Sequence, residues 1–259
     1  MIRNAFRSGG FWVAFTVCFL SFAGLSFPEW LGSRDWDVQG QNSALQLSIM
    51  PVFFGGVSLL FPFCACTAYA PGQVEEIRSG MIKLKLIRAG LFRYIFGQIV
   101  CCMTVSAVAA GLAFFTHAGI CHILALSSMP EAYLNHEIPF SPDCVYYDWY
   151  PVLHGIPILL WMGLAMAFTA GIWSVSGLAA AVWIPDKWLT VSLPVFLYFV
   201  LNSRTVYILT GVMIPYAADL YNDALTPDII RDSLICDGVL LAIFALIYAL
   251  GVERRATRD

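Results

Sequence analysis

The chain alternates between long apolar runs and short segments that hold almost all of its charge. A helix needs about 20 residues to cross the hydrocarbon layer of a membrane, and most of the runs approach or exceed that length. The pattern predicts six spans, at residues 9–27, 48–70, 94–116, 152–183, 188–205 and 235–252. Arg204 would then lie at the end of span 5, near the membrane surface, and a broken element at 206–232 would lead to span 6.

Composition strengthens the prediction of an integral membrane protein. Hydrophobic residues make up 59% of the chain, charged residues make up 12%, and the mean hydropathy is +0.76. Soluble proteins average about 45–50% apolar and about 25% charged residues. A net charge of −3 argues against a nucleic-acid partner, and the apolar content excludes disorder. We therefore expect residues 1–259 to form one all-α integral membrane domain in the cell membrane.

The basic residues predict the orientation of that domain. With six spans, eleven of the fourteen Lys and Arg residues fall on one side. These are Arg3, Arg7, Arg78, Lys83, Lys85, Arg88, Arg93, Lys187, Arg254, Arg255 and Arg258. Basic residues concentrate in cytoplasmic loops, so both termini are predicted to be cytoplasmic. The predicted outer loop at 117–151 has no basic residue but holds four acids, Glu131, Glu137, Asp143 and Asp148.

The outer loop also holds the residues that best suit a metal or a disulfide. Its His and Cys residues are His117, Cys121, His122, His136 and Cys144. Their types suit zinc, but their spacing matches no recognised ligand pattern, so no metal site is predicted. Cys121 and Cys144 are candidates for a disulfide outside the cell, which only their separation would decide.

Three classes of function stay open for a membrane protein with this sequence. One is a membrane-embedded enzyme: Glu75 and Glu76 resemble the double glutamate of membrane CAAX proteases, but Gly80 stands where that motif needs Arg. Another is an ion-coupled carrier or a channel, which gains little support because Asp237 is the one acid within the predicted spans. The third is a membrane-anchored assembly or immunity factor. The sequence has no phosphate-binding loop, so an ATP-driven process would need a separate ATPase.

The segment at 73–93 is the longest connection on the predicted cytoplasmic side. Its apolar residues Ile77, Met81, Leu84, Ile87 and Leu91 recur at the spacing of one helix face. Two acids at its start, Glu75 and Glu76, suit a helix N-terminus. Its basic residues are Arg78, Lys83, Lys85, Arg88 and Arg93. Such a helix could lie on membrane lipid or dock onto a soluble protein.

This segment resembles the inner loop of the permeases of ABC-2 type ABC transporters. The likeness lies in an acidic pair, a small residue, a basic amphipathic turn, and Arg-Tyr before span 3. A second stretch, 172–202, is similar to the family in its small-residue-rich span, its short turn with Lys187, and Pro194 early in span 5. The broken element at 206–232 matches the family's layout between spans 5 and 6.

The resemblance implies a transport subunit and not an enzyme. A coupling helix would dock onto a cytoplasmic ATPase, with coupling residues Glu75, Glu76, Arg78, Lys83, Lys85 and Arg88. ATP and Mg²⁺ would bind that partner, so no cofactor is expected on this chain. A second permease, identical or a sister protein, would complete the pathway. Family members export peptides, antibiotics, lipids and glycans, and the acidic outer loop favours a cationic antimicrobial peptide or a similar amphipathic molecule.

Overall fold

The protein is all-helical in the part described. The structure is a computed structural model that describes residues 5–33, 44–53, 56–128, 156–201 and 227–258. These residues form helices and no strand, which confirms the predicted all-α class. The helices are α1 (Gly9–Ser33), α2 (Ala44–Phe53), α3 (Gly56–Thr67), α4 (Ala70–Arg78), α5 (Met81–Ala89), α6 (Leu91–Ser128), α7 (Ile156–Trp183), α8 (Lys187–Leu201) and α9 (Pro227–Arg258).

Three of these helices are long and apolar enough to cross a membrane. The qualifying segments are Leu91–Leu124 in α6, Ile156–Trp183 in α7 and Leu234–Thr257 in α9. They correspond to predicted spans 3, 4 and 6. Helices α1 and α8 contain shorter apolar stretches, Gly9–Gly24 and Lys187–Val200. The described residues are thus compatible with a membrane protein, and the count of six spans stays a prediction.

Two predicted span boundaries differ from the structure. Predicted span 2, at 48–70, covers parts of α2 and α3, which begin at Ala44 and end at Thr67, and residues 54–55 between them lie outside the described residues. Each helix contains a proline, Pro51 or Pro62, which cannot donate a helix hydrogen bond. Span 3 was predicted to end at residue 116, yet α6 continues to Ser128. Arg204 and most of the predicted broken element lie outside the described residues, and residues 227–232 belong to α9.

The predicted single helix over 73–93 is divided at two glycines. Helix α4 ends at Arg78 and α5 begins at Met81, because Gly80 has a φ of 71°. Gly90, with a φ of 77°, separates α5 from α6. Both values lie in the left-handed region, which glycine adopts without steric cost. The segment therefore has two short helices with independent directions.

Helix α7 lies at the centre of the bundle. It packs against α3, α4, α6, α8 and α9, and it is the most buried of the three long apolar helices. Glycines allow the close approach: a Cβ at Gly177 would meet Cys66 of α3, and one at Gly171 would meet Met103 of α6. Small residues at helix interfaces are the usual means of close packing between membrane helices.

Side-chain hydrogen bonds to backbone carbonyls join the central helices. Ser106 of α6 donates to Ala65 O of α3 at 2.7 Å, and Cys66 of α3 donates to Trp173 O of α7 at 3.2 Å. Such donors satisfy polar groups that an apolar surrounding would leave unpaired. The three helices are thus fixed both in distance and in register.

One end of the bundle, which we call the α4 end, brings together the start of α1, the ends of α3, α7 and α9, helix α4, and the turn before α8. The start of α1 lies against the end of α3, since a Cβ at Gly10 would lie 2.7 Å from Thr67 O. The end of α9 lies against the end of α7, where Arg255 Nε donates to Val182 O at 2.6 Å. Helix α4 contacts the turn between α7 and α8, as described below.

Candidate functional site

Helix α4 presents Glu75 and Arg78 away from the core. Pro71 stands in its first turn, where a missing N–H costs nothing, and the helix ends before Gly80. Gln73 and Val74 are buried, whereas Glu75 and Arg78 are exposed. The buried face fixes the helix on α7, so the charged side chains have fixed positions.

Two of those charges pair with the short turn between α7 and α8. Glu75 Oε1 accepts from Lys187 Nζ at 2.5 Å. Arg78 lies 3.4 Å from the Asp186 carboxylate, and its Nε donates to Pro185 O at 2.8 Å. Asp186 also caps α8, since its Oδ1 accepts from the backbone N–H groups of Trp188 and Leu189 at 2.9 and 3.1 Å. Residues far apart in sequence thus form one charged surface.

Glu76 points the other way, into a partly buried polar network. Lys85 Nζ of α5 lies 2.5 Å from Glu76 Oε1, and both side chains are about one quarter exposed, at 26% and 24%. Gln98 Nε2 of α6 donates to Glu76 Oε2 at 3.4 Å, and Tyr69 OH donates to Gln98 Oε1 at 2.5 Å. Gln98 is fully buried. Glu76 therefore connects α4 and α5 to a buried side chain of the long apolar helix α6.

We call the residues Glu75, Glu76, Arg78, Lys85, Asp186 and Lys187 the ion-pair cluster. Of the predicted coupling residues, the structure brings Glu75, Glu76, Arg78 and Lys85 into it. The other two, Lys83 and Arg88, lie exposed on α5. Asp186, Lys187 and Gln98 were not assigned to the site from the sequence. One indication of a role for these three residues was available from the sequence, namely that they are polar and stand at or within apolar helices.

A cleft of about 740 Å³ opens beside the cluster. Its wall includes Ser8 and Gly9 from the start of α1, and Glu75, Glu76 and Lys85 from the cluster. Polar and apolar residues both line the cleft, and Glu75 and Glu76 both reach it. Chemically, the arrangement offers fixed charges beside a recess, which is suited to recognition of another molecule.

A second polar group lies inside the bundle, towards the other end of α6. Ser26 of α1 donates to Leu47 O at 2.8 Å, and His117 Nε2 lies 3.1 Å from the same Ser26 oxygen. The Ser26 hydroxyl has a single hydrogen, which it donates to Leu47 O. His117 Nε2 must therefore be the donor in its hydrogen bond with the Ser26 oxygen. Cys121 Sγ lies 3.5 Å from Nε2, and a small cavity of about 60 Å³ adjoins the three residues.

These contacts involve residues that were named from the sequence because their types suit a metal or a disulfide. His117, Cys121 and His122 belong to α6 and not to a loop, and His122 Nδ1 donates to Ala118 O at 2.9 Å. Within the described ranges, no group of three or more His, Cys, Asp or Glu residues could hold a metal. Cys121 is a free, buried thiol, while His136 and Cys144 lie outside the described residues.

Comparison with protein-family models, with curated proteins and with solved structures finds no match to this chain. The class of the protein therefore has to be argued from its own residues.

Proposed function

We propose that the chain is the permease subunit of an ATP-driven ABC exporter, with six spans and both termini in the cytoplasm. A separate cytoplasmic ATPase binds ATP and Mg²⁺, and a second permease completes the pathway. The observation that carries the proposal is the ion-pair cluster. The cluster joins the segment at 73–93 to the turn at 184–187, and the resemblance places both connections in the cytoplasm. The charged side chains of both connections lie at the surface.

The position of the basic residues supports the proposed orientation. At the α4 end lie the basic residues of α4, of α5 and of the turn before α8, together with Arg254 and Arg255 of α9. Arg231 lies near the opposite end of α9. Basic residues favour the cytoplasmic side, so the α4 end is the cytoplasmic end.

The polar network supports a coupling role for α4 and α5. A movement of either helix changes the position of Glu76 or Lys85, and Glu76 is bonded to Gln98 within α6. Rigid helices and hydrogen-bond networks are the usual carriers of such coupling. An ATPase that displaces α4 would thus displace the cytoplasmic half of α6, which is what transport requires.

The substrate we favour is a cationic amphipathic peptide that leaves the cell. Its support is the charge of residues 129–151, which hold four acids and no base. This segment lies outside the described residues, and it is shorter than the predicted loop because α6 continues to Ser128. Stimulation of ATP hydrolysis by peptides of graded charge, in the purified complex, would test the choice.

Charge exchange across the Glu75–Lys187 pair tests the docking of the ATPase. We expect Glu75→Lys to abolish co-purification with the ATPase, because a reversed charge at a desolvated contact can cost several kcal/mol. The double variant Glu75→Lys with Lys187→Glu restores the pair within the chain. It should recover thermal stability and still fail to bind the ATPase, since the partner meets reversed charges.

Two results would contradict the docking proposal. One is normal ATPase association and export in the variant Glu75→Lys with Glu76→Lys. The other is full recovery of association in the charge-exchanged double variant, which would give the pair only a structural role. Membrane abundance should be normal throughout, because added positive charge on a cytoplasmic connection obeys the orientation rule.

One observation favours a second candidate, an ion-coupled carrier. Asp237 of α9 is 6% exposed, and among the described residues its Oδ2 has no hydrogen-bond partner. A buried acid within an apolar helix is the usual mark of a proton or cation site. Asp237→Asn separates the two functions, because a carrier would lose transport driven by an ion gradient, whereas an ABC exporter would keep ATP-driven export.

A further inference from the structure

Helix α5 has two apolar faces, and among the described residues only one of them packs against the rest of the fold. Ile82, which is 5% exposed, and the partly buried Leu86 pack in a cluster with Tyr94 and Tyr248. On the other side, Met81, Leu84 and Ile87 are 48%, 59% and 81% exposed. A nine-residue helix thus leaves three large apolar side chains outside the fold.

The arrangement around the helix axis is that of an interfacial helix. With about 100° between successive residues, Met81, Leu84 and Ile87 cover an arc of about 120° opposite Ile82 and Leu86. Lys83 lies about 40° beyond the Ile87 edge of that arc, and Arg88 lies about 20° inside its Met81 edge. An apolar stripe edged by Lys and Arg is typical of helices that lie in the headgroup region of a membrane.

The exposed face of α5 is followed along the chain by a helix that is apolar enough to span a membrane. Only Gly90 separates α5 from α6, whose first turns carry Phe92 and Phe96 at 79% and 61% exposure. These two rings stack at 6.3 Å on the outside of α6. Exposed aromatic rings at this position would contact acyl chains, and the apolar arc of α5 ends at Ile87, five residues before Phe92.

Charge decides between a lipid surface and a protein as the occupant. No acid occurs between Glu76 and Glu131, so this part of the chain carries only positive charge. Arg78 and Lys85 face acids of the ion-pair cluster, whereas Arg88 and Arg93 are exposed beside the apolar arc. The cytoplasmic leaflet carries anionic phospholipids, which attract such residues.

We propose that α5 is a lipid-binding helix, with its apolar arc in the anionic leaflet and Arg88 and Arg93 on lipid phosphates. The docking surface for a soluble partner is then confined to α4 and the turn at 184–187. This inference needs α6 to span the membrane but needs no transport function. It also narrows the proposed coupling residues, because Arg88 then contacts lipid and not the ATPase.

Photocrosslinking of the purified full chain, without any ATPase, tests the proposal. The photoreactive residue p-benzoylphenylalanine is placed at position 87, or at position 79 as a control in the exposed connection between α4 and α5. The protein is placed in vesicles with equal amounts of phosphatidylglycerol and phosphatidylcholine. We expect mass spectrometry to find phospholipid adducts at position 87, enriched in phosphatidylglycerol, and at most traces at position 79.

Charge variants test the lipid preference itself. Each basic residue near an anionic surface contributes about a fivefold preference, so Arg88→Gln with Arg93→Gln should lower phosphatidylglycerol enrichment many-fold. Arg231→Gln, at the other end of α9, should leave enrichment at position 87 unchanged.

Three outcomes would overturn the proposal. One is the absence of phospholipid adducts at position 87, and another is equal capture of the two lipids. The third belongs to a repeat of the experiment with the ATPase added: adducts to the ATPase in place of lipid adducts at position 87 would make α5 a protein-docking helix. Loss of ATPase binding in Glu75→Lys is measured separately, so failure of the lipid proposal leaves the transport proposal intact.

Discussion

His117 shows how a polar residue is accommodated within a long apolar helix. Its imidazole donates to Ser26, which in turn donates to Leu47 O, and its ring stacks on Phe22 at a centroid distance of 5.7 Å. Each hydrogen bond satisfies a group that an apolar surrounding would otherwise leave unpaired. A histidine in such a sequence therefore need not mark the end of a span.

Removal of the Ser26 hydroxyl should destabilise this contact. Ser26→Ala removes the hydrogen bonds that Ser26 makes with His117 and Leu47 O, and we expect the free energy of unfolding to fall by about 1–2 kcal/mol. Ser21→Ala is the matched control on the same helix, because Ser21 donates only to Val17 O of its own helix. Unfolding in mixed detergent micelles measures both variants. Equal losses in the two would contradict the assigned hydrogen bond.

The sequence predicted part of the candidate site at residue level. The acids at 75 and 76 were recognisable because they precede a basic amphipathic stretch. Asp186 and Lys187 were not, because they lie more than 100 residues further along the chain, and only folding brings them to α4. No local pattern contains that information.

At the scale of elements, glycines decide where the predicted helices divide. The apolar spacing from Ile77 to Leu91 fits one helix, yet Gly80 and Gly90 divide the segment into α4, α5 and the start of α6. Spacing predicts which residues share a face, but a left-handed glycine changes the direction of the chain between faces. The two short helices could therefore not be resolved from periodicity.

Gly80→Ala tests this division. An L-residue at a φ of 71° costs about 1–2 kcal/mol, so the connection should open more often. Hydrogen exchange of the amides at 76–90 should accelerate. Gly72→Ala, within α4 and with no atom within 4 Å of an added Cβ, should leave the exchange unchanged. Equal protection in both variants would show that the left-handed turn is not needed.

Gly251 defines the closest approach of α9 to α7. A Cβ at this position would overlap Val182 and Trp183, whose indole N–H donates to Ile247 O at 3.1 Å. We expect Gly251→Ala to destabilise the protein by about 1–3 kcal/mol, because a packed interface has no room for a methyl group. Gly238→Ala, on the same helix and without neighbours, should be neutral or slightly stabilising. A neutral Gly251→Ala would contradict the described crossing.

At the scale of the whole molecule, hydropathy predicted the long helices. The structure of the connections between them depends on contacts between residues far apart in sequence, which hydropathy does not contain. Three predicted spans coincide with long apolar helices, because an apolar run of that length has few alternatives to a helix. Span 2 was predicted as continuous, and the residues at 54–55, between α2 and α3, lie outside the described residues. The resemblance to ABC-2 permeases supplied the transport function, and it stays a proposal.

Reporter fusions test the proposed topology of the complete chain. A reporter that is active only outside the cell should give no activity after residue 259 and high activity at residue 135. The physical reason is the excess of basic residues at the α4 end, which resist translocation. A reporter that is active only in the cytoplasm serves as the reciprocal control. Activity outside the cell at residue 259 would contradict an even number of spans.

The central position of α7 has a consequence for the evolution of this chain. Five of the described helices touch it, so a new side chain on any of its turns must fit against a partner that would have to change as well. The exposed residues of α9, among them Val239, Leu246 and Leu250, need only remain apolar. Related sequences should therefore drift freely at the exposed positions of α9 and keep α7 nearly unchanged, and in a library of random variants α7 should tolerate the fewest substitutions.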